Sequence, residues 1–407
     1  MDIFNAYPLS VLARVCATIS DSIAQNKLAG LETWGASECA LAPQTAFVLG
    51  VGALLYTQFH EHPDWPRVDE RLRTALAYQH AMNRARVMLL LREFNEILAA
   101  FADAQIPVIP LKGILLLQRF YADPAARPLS DIDLLIRAEY FPQARAALES
   151  LCYGMEEHPS KPNFVRPANR FPVAFDSEHP DNPRRVEVHT RLEDEFRGTT
   201  IEWTEWAWQT SRMSTWSTTA RELALAVLFA HLLSHTSRDI MSCRVRLIQL
   251  VDLALLGRIL TKQDVWSTVR PPNDARAARF FYPALALTRR YFGESIADPF
   301  YRDVAQQTPS RLRAWCDRQT LFDVCWLGGK HLGMFETLAL WSQSPQEAAR
   351  IAQVMWQRRS LHFNHLFPQL QSSRWAWLGI PAYAWDRLQG SRRDKTRRGR
   401  WDYSKPS

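Results

Sequence analysis

Between Leu129 and Ile136 the chain reads Leu-Ser-Asp-Ile-Asp-Leu-Leu-Ile, an apolar run that carries two carboxylates two positions apart. Such a run reads as a β-strand, in which side chains alternate faces. Asp131 and Asp133 then share one face, while Ile132 and Leu134 point into a core. Two ionised carboxylates side by side repel each other unless a cation joins them. The strand therefore needs a sheet with one face covered by apolar residues and the other open to a cation. A divalent metal, and through it phosphate, suits that face. A bare D-x-D is common, so its surroundings decide.

The strongest support is a second acidic strand, Arg185-Val186-Glu187-Val188-His189-Thr190-Arg191. Its period of two places Glu187, His189 and Arg191 on one face and Val186 and Val188 on the other. Beside the first strand it would bring Glu187 next to Asp131 and Asp133. Three carboxylates then surround a site for two divalent cations about 3.5–4 Å apart, as two-metal phosphoryl transfer requires. This segment alone reads equally as a solvent-exposed face with scattered charges. Upstream, Ile106 to Leu111 is β-prone and ends in Lys112-Gly113, and Ile114 to Tyr121 reads as a helix. A glycine at a strand-to-helix junction lets the backbone approach an anion, and the N–H groups opening the helix can bind it. Lys112 would add a point charge for a triphosphate, and Arg127, four residues before Asp131, would reach the same anion. Taken singly, either residue reads as a surface cation. Gly329-Lys330 lacks the spacing of a phosphate-binding P-loop.

Residues 9 to 60 read as short helices broken by Gly and Pro, and Val68 to about Ala104 as a long periodic helix. Phe141 to Leu151 is again helical. Val173 to Asp176 reads as a further strand, joined to the 185–189 strand by the turn-rich Glu178 to Pro183. Arg221 to Leu233 and Val245 to Ile259 are periodic helices, and helical patterns continue to about Leu370. The expected fold class is α+β: N-terminal helices over 1–64, a small mixed-sheet domain over 65–204, and a large all-helical domain over 205–386. A basic, disordered tail is expected over 387–407.

At 407 residues, two or three domains are the sensible prior. The net charge of +7 suggests nucleic acid, but Arg387 to Arg400 alone carries +6, so the body is nearly neutral. Nucleic acid is therefore an unlikely partner except through the tail, which would equally bind membrane or an acidic partner. The six Cys show no paired spacing, which fits reduced thiols. The chain starts without signal-peptide character, and its longest apolar run, Ala46 to Tyr56, is far short of the roughly 20 residues that span a bilayer. A cytoplasmic protein with no membrane span is expected.

Taken in order, Ile106 to Gly113, Tyr121, Arg127, Asp131 to Ile136 and Val186 to His189 resemble the family of uncharacterised nucleotidyltransferases within the polymerase-β-like superfamily, over about residues 90–260. The resemblance implies that Asp131 and Asp133 are paired metal ligands and Glu187 the third carboxylate. The cofactor would be two Mg²⁺ ions, with Mn²⁺ as an alternative. Lys112, Gly113, Arg127 and His189 would serve nucleotide binding, His189 by orienting the acceptor or the carboxylates. The superfamily usually carries Gly-Ser before the first Asp; here Lys112-Gly113-Ile114 stands in its place, with seventeen residues between Gly113 and Asp131. The implied reaction transfers a nucleoside monophosphate from a triphosphate such as ATP to a hydroxyl of an acceptor, releasing pyrophosphate. The acceptor is unknown: a small molecule, a sugar, a peptide or a protein.

Farther along, His231 and His235 share a helical face at i, i+4. They would bind zinc or, the better reading, form a buried hydrogen-bonded pair that lines a cleft; the Glu of H-E-x-x-H is absent. Arg246 and Asp252 would line the same cleft or form a structural ion pair. The Trp residues after 300 read as packing material. Two other functions compete: a catalytically silent nucleotide-binding or assembly partner in a biosynthetic or toxin–antitoxin system, and an RNA-modifying transferase that uses the basic tail.

Overall fold

A computed structural model describes residues 7–366 except 29, 157–161, 173–177, 197–198, 216, 270–274, 330–331 and 333. The expected strand at Val173 to Asp176 and the tail over 387–407 lie outside the described residues.

Three helices open the chain: α1 (Leu9–Gln25), α2 (Ala36–Val48) and α3 (Gly52–Phe59). Pro43 sits inside α2 and does not end it. The long periodic segment forms α4 (Glu70–Asp103), started by the Asp69 carboxylate, which accepts from the N–H groups of Arg71 and Leu72. One face of α4 carries Val87, Leu90, Phe94, Ile97, Leu98 and Phe101, all buried in the core beneath a five-stranded sheet. No single helix among the described residues is long and apolar enough to cross a membrane; α2 and α3 would be so only together, across a bend of 110°.

The sheet contains β1 (Val108–Pro110), β2 (Asp131–Ile136), β3 (Gly154–Glu156), β4 (Asn163–Val165) and β5 (Arg185–His189), in the order β1-β2-β5-β4-β3. Helix α5 (Lys112–Phe120) connects β1 to β2, and α6 (Phe141–Ser150) connects β2 to β3. The two acidic strands are neighbours: β2 and β5 run parallel, with Asp133 opposite Glu187 and Leu135 opposite His189. Ile132, Leu134, Ile136, Val186, Val188 and Phe164 fill the opposite face against α4. The pairing that the alternation required is the one that forms, because it alone buries both Val/Ile/Leu rows in one layer.

Beyond β5 lie a two-stranded ribbon, β6 (Glu193–Phe196) with β7 (Thr199–Glu202), and α7 (Thr204–Thr210). A second ribbon follows, β8 (Arg212–Met213) with β9 (Arg221–Glu222), so the region after 205 is not wholly helical as expected. The next helix starts at Leu225, four residues later than its periodicity suggests, because Arg221 and Glu222 are used in pairing. Helices α8 (Leu225–Met241), α9 (Leu247–Gln263), α10 (Tyr282–Phe292), α11 (Asp298–Gln306), α12 (Ser310–Cys316) and α13 (Leu321–Val324) complete the unit. Tyr7–Phe196 and Thr200–Leu332 form this one compact unit, while α14 (Met334–Trp341) and α15 (Pro345–Leu366) belong to a second.

Candidate active site

The polar face of β2 and β5 carries an ionic cluster around Asp133, which is buried to 4% exposure. Lys112 Nζ lies 2.9 Å and His189 Nε2 2.8 Å from its Oδ1. His189 Nε2 is also 3.7 Å from Glu187 Oε2. Burial opposes ionisation of Asp133, but Lys112 and His189 hold its carboxyl far below the ordinary aspartate range. Burial likewise works against the Lys112 charge, and Asp133 and Asp131 outweigh it, leaving the ammonium harder to deprotonate than a free lysine. Lys112 reaches inward from a left-handed backbone, φ 45°, at the first residue of α5. That conformation costs a non-glycine residue about 1–2 kcal/mol and marks the strand-to-helix junction as a constrained turn.

Asp133, Glu187 and His189 each offer a ligand atom within 4.8 Å of the other two. Asp131 lies on the same face, half-buried, and accepts from the Ser130 hydroxyl at 3.0 Å; it is not part of that close group. On the far side of Glu187, Asn163 of β4 is its register partner, and the buried Asn163 Oδ1 has no hydrogen-bond partner among the described residues. Two carboxylates, an imidazole and an unpartnered amide oxygen on one sheet face form a donor set suited to a divalent cation.

A side chain at Gly113 would crowd its neighbours. A Cβ there would stand 2.5 Å from Leu129 Cδ1 and 2.9 Å from Arg127 Nη1. Arg127 itself does not point at Asp133. Its guanidinium grips Asp252 of α9 in a bidentate pair, with Nε 3.0 Å from Oδ1 and Nη2 2.8 Å from Oδ2. The Tyr121 hydroxyl donates to the same carboxylate at 2.7 Å. Burial and the neighbouring Asp252 push the Tyr121 phenol well above its ordinary pKa. Arg246 is not the partner of Asp252. It caps α9, donates to the carbonyls of Val48 at 3.1 Å and Phe47 at 3.0 Å, and has Glu178 at 3.8 Å. Six helical positions rotate a side chain by about 600°, so Arg246 and Asp252 leave α9 in different directions.

His231 and His235 gather around a carboxylate that the sequence reading missed, Asp194 of β6. It lies 3.2 Å from His231 Nδ1 and 3.6 Å from His235 Nδ1, with Arg238 Nη1 also at 3.6 Å. Trp203 Nε1 and the Ser234 hydroxyl donate to it as well. Burial would raise the Asp194 carboxyl, but the two imidazoles hold it well below its usual range. His231, fully enclosed, has its own pKa lowered, chiefly by burial and against the pull of Asp194. The available signal was the alternation Glu193-Asp194-Glu195-Phe196, which puts Asp194 on the buried side with Phe196. A carboxylate so placed must have partners.

Arg86, on the buried face of α4, also went unnoticed. It donates to five carbonyls: Leu129 and Ser130 before β2, and His179, Asn182 and Pro183 before β5. Those five bonds use the full donor capacity of a guanidinium and set the entry of both acidic strands. Burial pulls its pKa down to about 10.

A family model described as "Uncharacterised nucleotidyltransferase" matches residues 40–293. That match covers more than half of the chain, and the protein belongs to this family of nucleotidyltransferases. No curated protein and no solved structure was found to match it.

Proposed function

We propose that the protein uses divalent metal to transfer a nucleoside monophosphate from a nucleoside triphosphate to an acceptor hydroxyl. The new bond joins the acceptor oxygen to the α-phosphorus, the bond from that phosphorus to the bridging oxygen breaks, and pyrophosphate carries away the electron pair. The acceptor proton passes to solvent or to a nearby base. Family membership supports nucleotidyl transfer in general; the observation that carries the detailed reading is the parallel register of Asp133 against Glu187, with Lys112 and His189 on the same carboxylate.

Asp131, Asp133 and Glu187 would hold the metal, which when bound supplies charge neutralisation for the triphosphate and acidifies the acceptor hydroxyl. Lys112 would exchange its bond with Asp133 for the phosphates, which a flexible ammonium does readily. The backbone N–H groups at Gly113, in the first turn of α5, would serve the phosphates as an anion-binding helix start. Arg127 ties the segment before β2 to α9. Little covalent chemistry falls to the protein, since positioning and electrostatics supply most of the rate. Helix α8, with His231 and His235, would border the acceptor side.

The test is incubation of the purified protein with α-³²P-labelled triphosphates, Mg²⁺ or Mn²⁺ and a cell extract, followed by identification of labelled products. Label transfer by the unmodified chain, lost in Asp133→Asn, supports the reading. Transfer undiminished in that variant refutes the site. No transfer by the unmodified chain favours a silent nucleotide-binding partner.

A further inference from the structure

We propose that His189 is itself a ligand of the divalent-cation site, making a mixed oxygen–nitrogen set with Asp133 and Glu187 that holds Mn²⁺ more tightly than Mg²⁺. The inference deepens the metal-dependent reading above and rests on it for the site's role, although the binding it asserts is measurable without any reaction.

Four observations carry it. First, the imidazole is on the metal-facing side of the sheet by strand parity, two residues beyond Glu187 and opposite Leu135 of β2. Second, the distances suit direct ligation. At a metal–ligand bond length of about 2.1 Å, neighbouring ligand atoms of an octahedral ion stand about 3.0 Å apart and opposing ones about 4.2 Å. His189 Nε2 is 2.8 Å from Asp133 Oδ1 and 3.7 Å from Glu187 Oε2, so one ion reaches all three with small side-chain shifts. Third, Asp131 stands outside this close group, so the tight trio is carboxylate, carboxylate and imidazole. Fourth, Asn163 Oδ1, buried beside Glu187 and without a hydrogen-bond partner among the described residues, leaves an oxygen donor on the same face.

The consequence is a change in metal preference. Mg²⁺ favours oxygen ligands alone and sheds water reluctantly. An imidazole nitrogen strengthens binding of first-row transition ions relative to it. If His189 served only as a hydrogen-bond partner of Asp133, the bound metal would see oxygen alone, and only the weaker Mn²⁺ preference of an all-oxygen site would arise, without nitrogen coupling.

The experiment is pulsed electron paramagnetic resonance on the full chain loaded with Mn²⁺ alone, read by electron spin-echo envelope modulation for ¹⁴N coupled to the metal. Paired with it is a Mn²⁺/Mg²⁺ competition titration. The proposal expects an imidazole-nitrogen modulation that disappears in His189→Gln, with Mn²⁺ affinity falling on the order of tenfold or more. His189→Asp keeps a ligating group and so checks that the fold survives: it should bind Mn²⁺ without the nitrogen signal and with the Mn²⁺ preference weakened. Failure to bind Mn²⁺, bound Mn²⁺ without nitrogen coupling, or coupling that persists in His189→Gln each overturns it. Because no nucleotide or acceptor is present, nitrogen coupling in a protein without transferase activity refutes only the functional reading. Activity without nitrogen coupling refutes only this inference.

Discussion

Asp133 and Asp252 are both buried carboxylates in ion pairs, and they are fastened in opposite ways. Asp252 sits in the fork of Arg127, which takes both its oxygens, with Tyr121 donating to Oδ1 as well. Asp133 is touched by a lysine and an imidazole, each through a single atom on one oxygen, with Glu187 alongside and, beyond it, the Asn163 amide oxygen, which has no partner among the described residues. The first arrangement holds helix α9 to the turn before β2. The second is held together by charges that a metal and a phosphate can replace. The way a buried carboxylate is fastened, rather than its burial, separates the brace from the candidate site.

Substitution at each carboxylate separates the two most sharply. Asp133→Asn is expected to lower nucleotidyl transfer by at least about 10³-fold, the upper part of the range for loss of one electrostatic stabiliser, while its loss of stability stays smaller than that of Asp252→Asn. Asp252→Asn leaves the Arg127 charge buried without a counter-ion and should cost about 3–5 kcal/mol in urea unfolding. If the two variants lose activity and stability in equal proportion, the distinction fails. Gly113→Ala forces a Cβ against Leu129 and Arg127, so it should cost about 1–3 kcal/mol and weaken triphosphate binding, measured by calorimetry. Stability unchanged in this variant would show that the turn relaxes.

The smallest effect is a pH slope. His231 has a folded pKa below its unfolded value because it is buried. Between those values the unfolded chain binds the proton that the folded chain refuses. Stability therefore rises with pH across that window and falls as pH drops below about 6.5, by at most about 1.4 kcal/mol per unit. His231→Gln should flatten this part of the curve, measured by chemical unfolding from pH 5 to 7.5; an unaltered slope would assign it to another group.

The acidic face was legible in the sequence because strand parity is local: Asp131, Asp133, Glu187 and His189 declare their side by counting in twos. Their register was not, since it depends on which strand lies beside which. The three-residue strands β3 and β4 escaped notice because so short a run shows no alternation. Arg86 has a signal in the sequence that goes unused: four and eight residues before Leu90 and Phe94, it sits on their buried helix face. Arg127 read as a phosphate ligand because nothing local reveals a carboxylate 125 residues away. Proximity in sequence offers Arg246 and Asp252 as cleft-lining residues or as an ion pair, and helical rotation defeats the pairing.

That 125-residue separation has a consequence for how the molecule comes into being. A ribosome adding about 5–20 residues per second emits Arg127 roughly 6–25 s before Asp252. For that interval the segment that leads into β2 has no brace, and Arg127 carries its charge without the counter-ion it has in the folded molecule. The brace is thus a late product of synthesis, closed only when the ninth helix arrives.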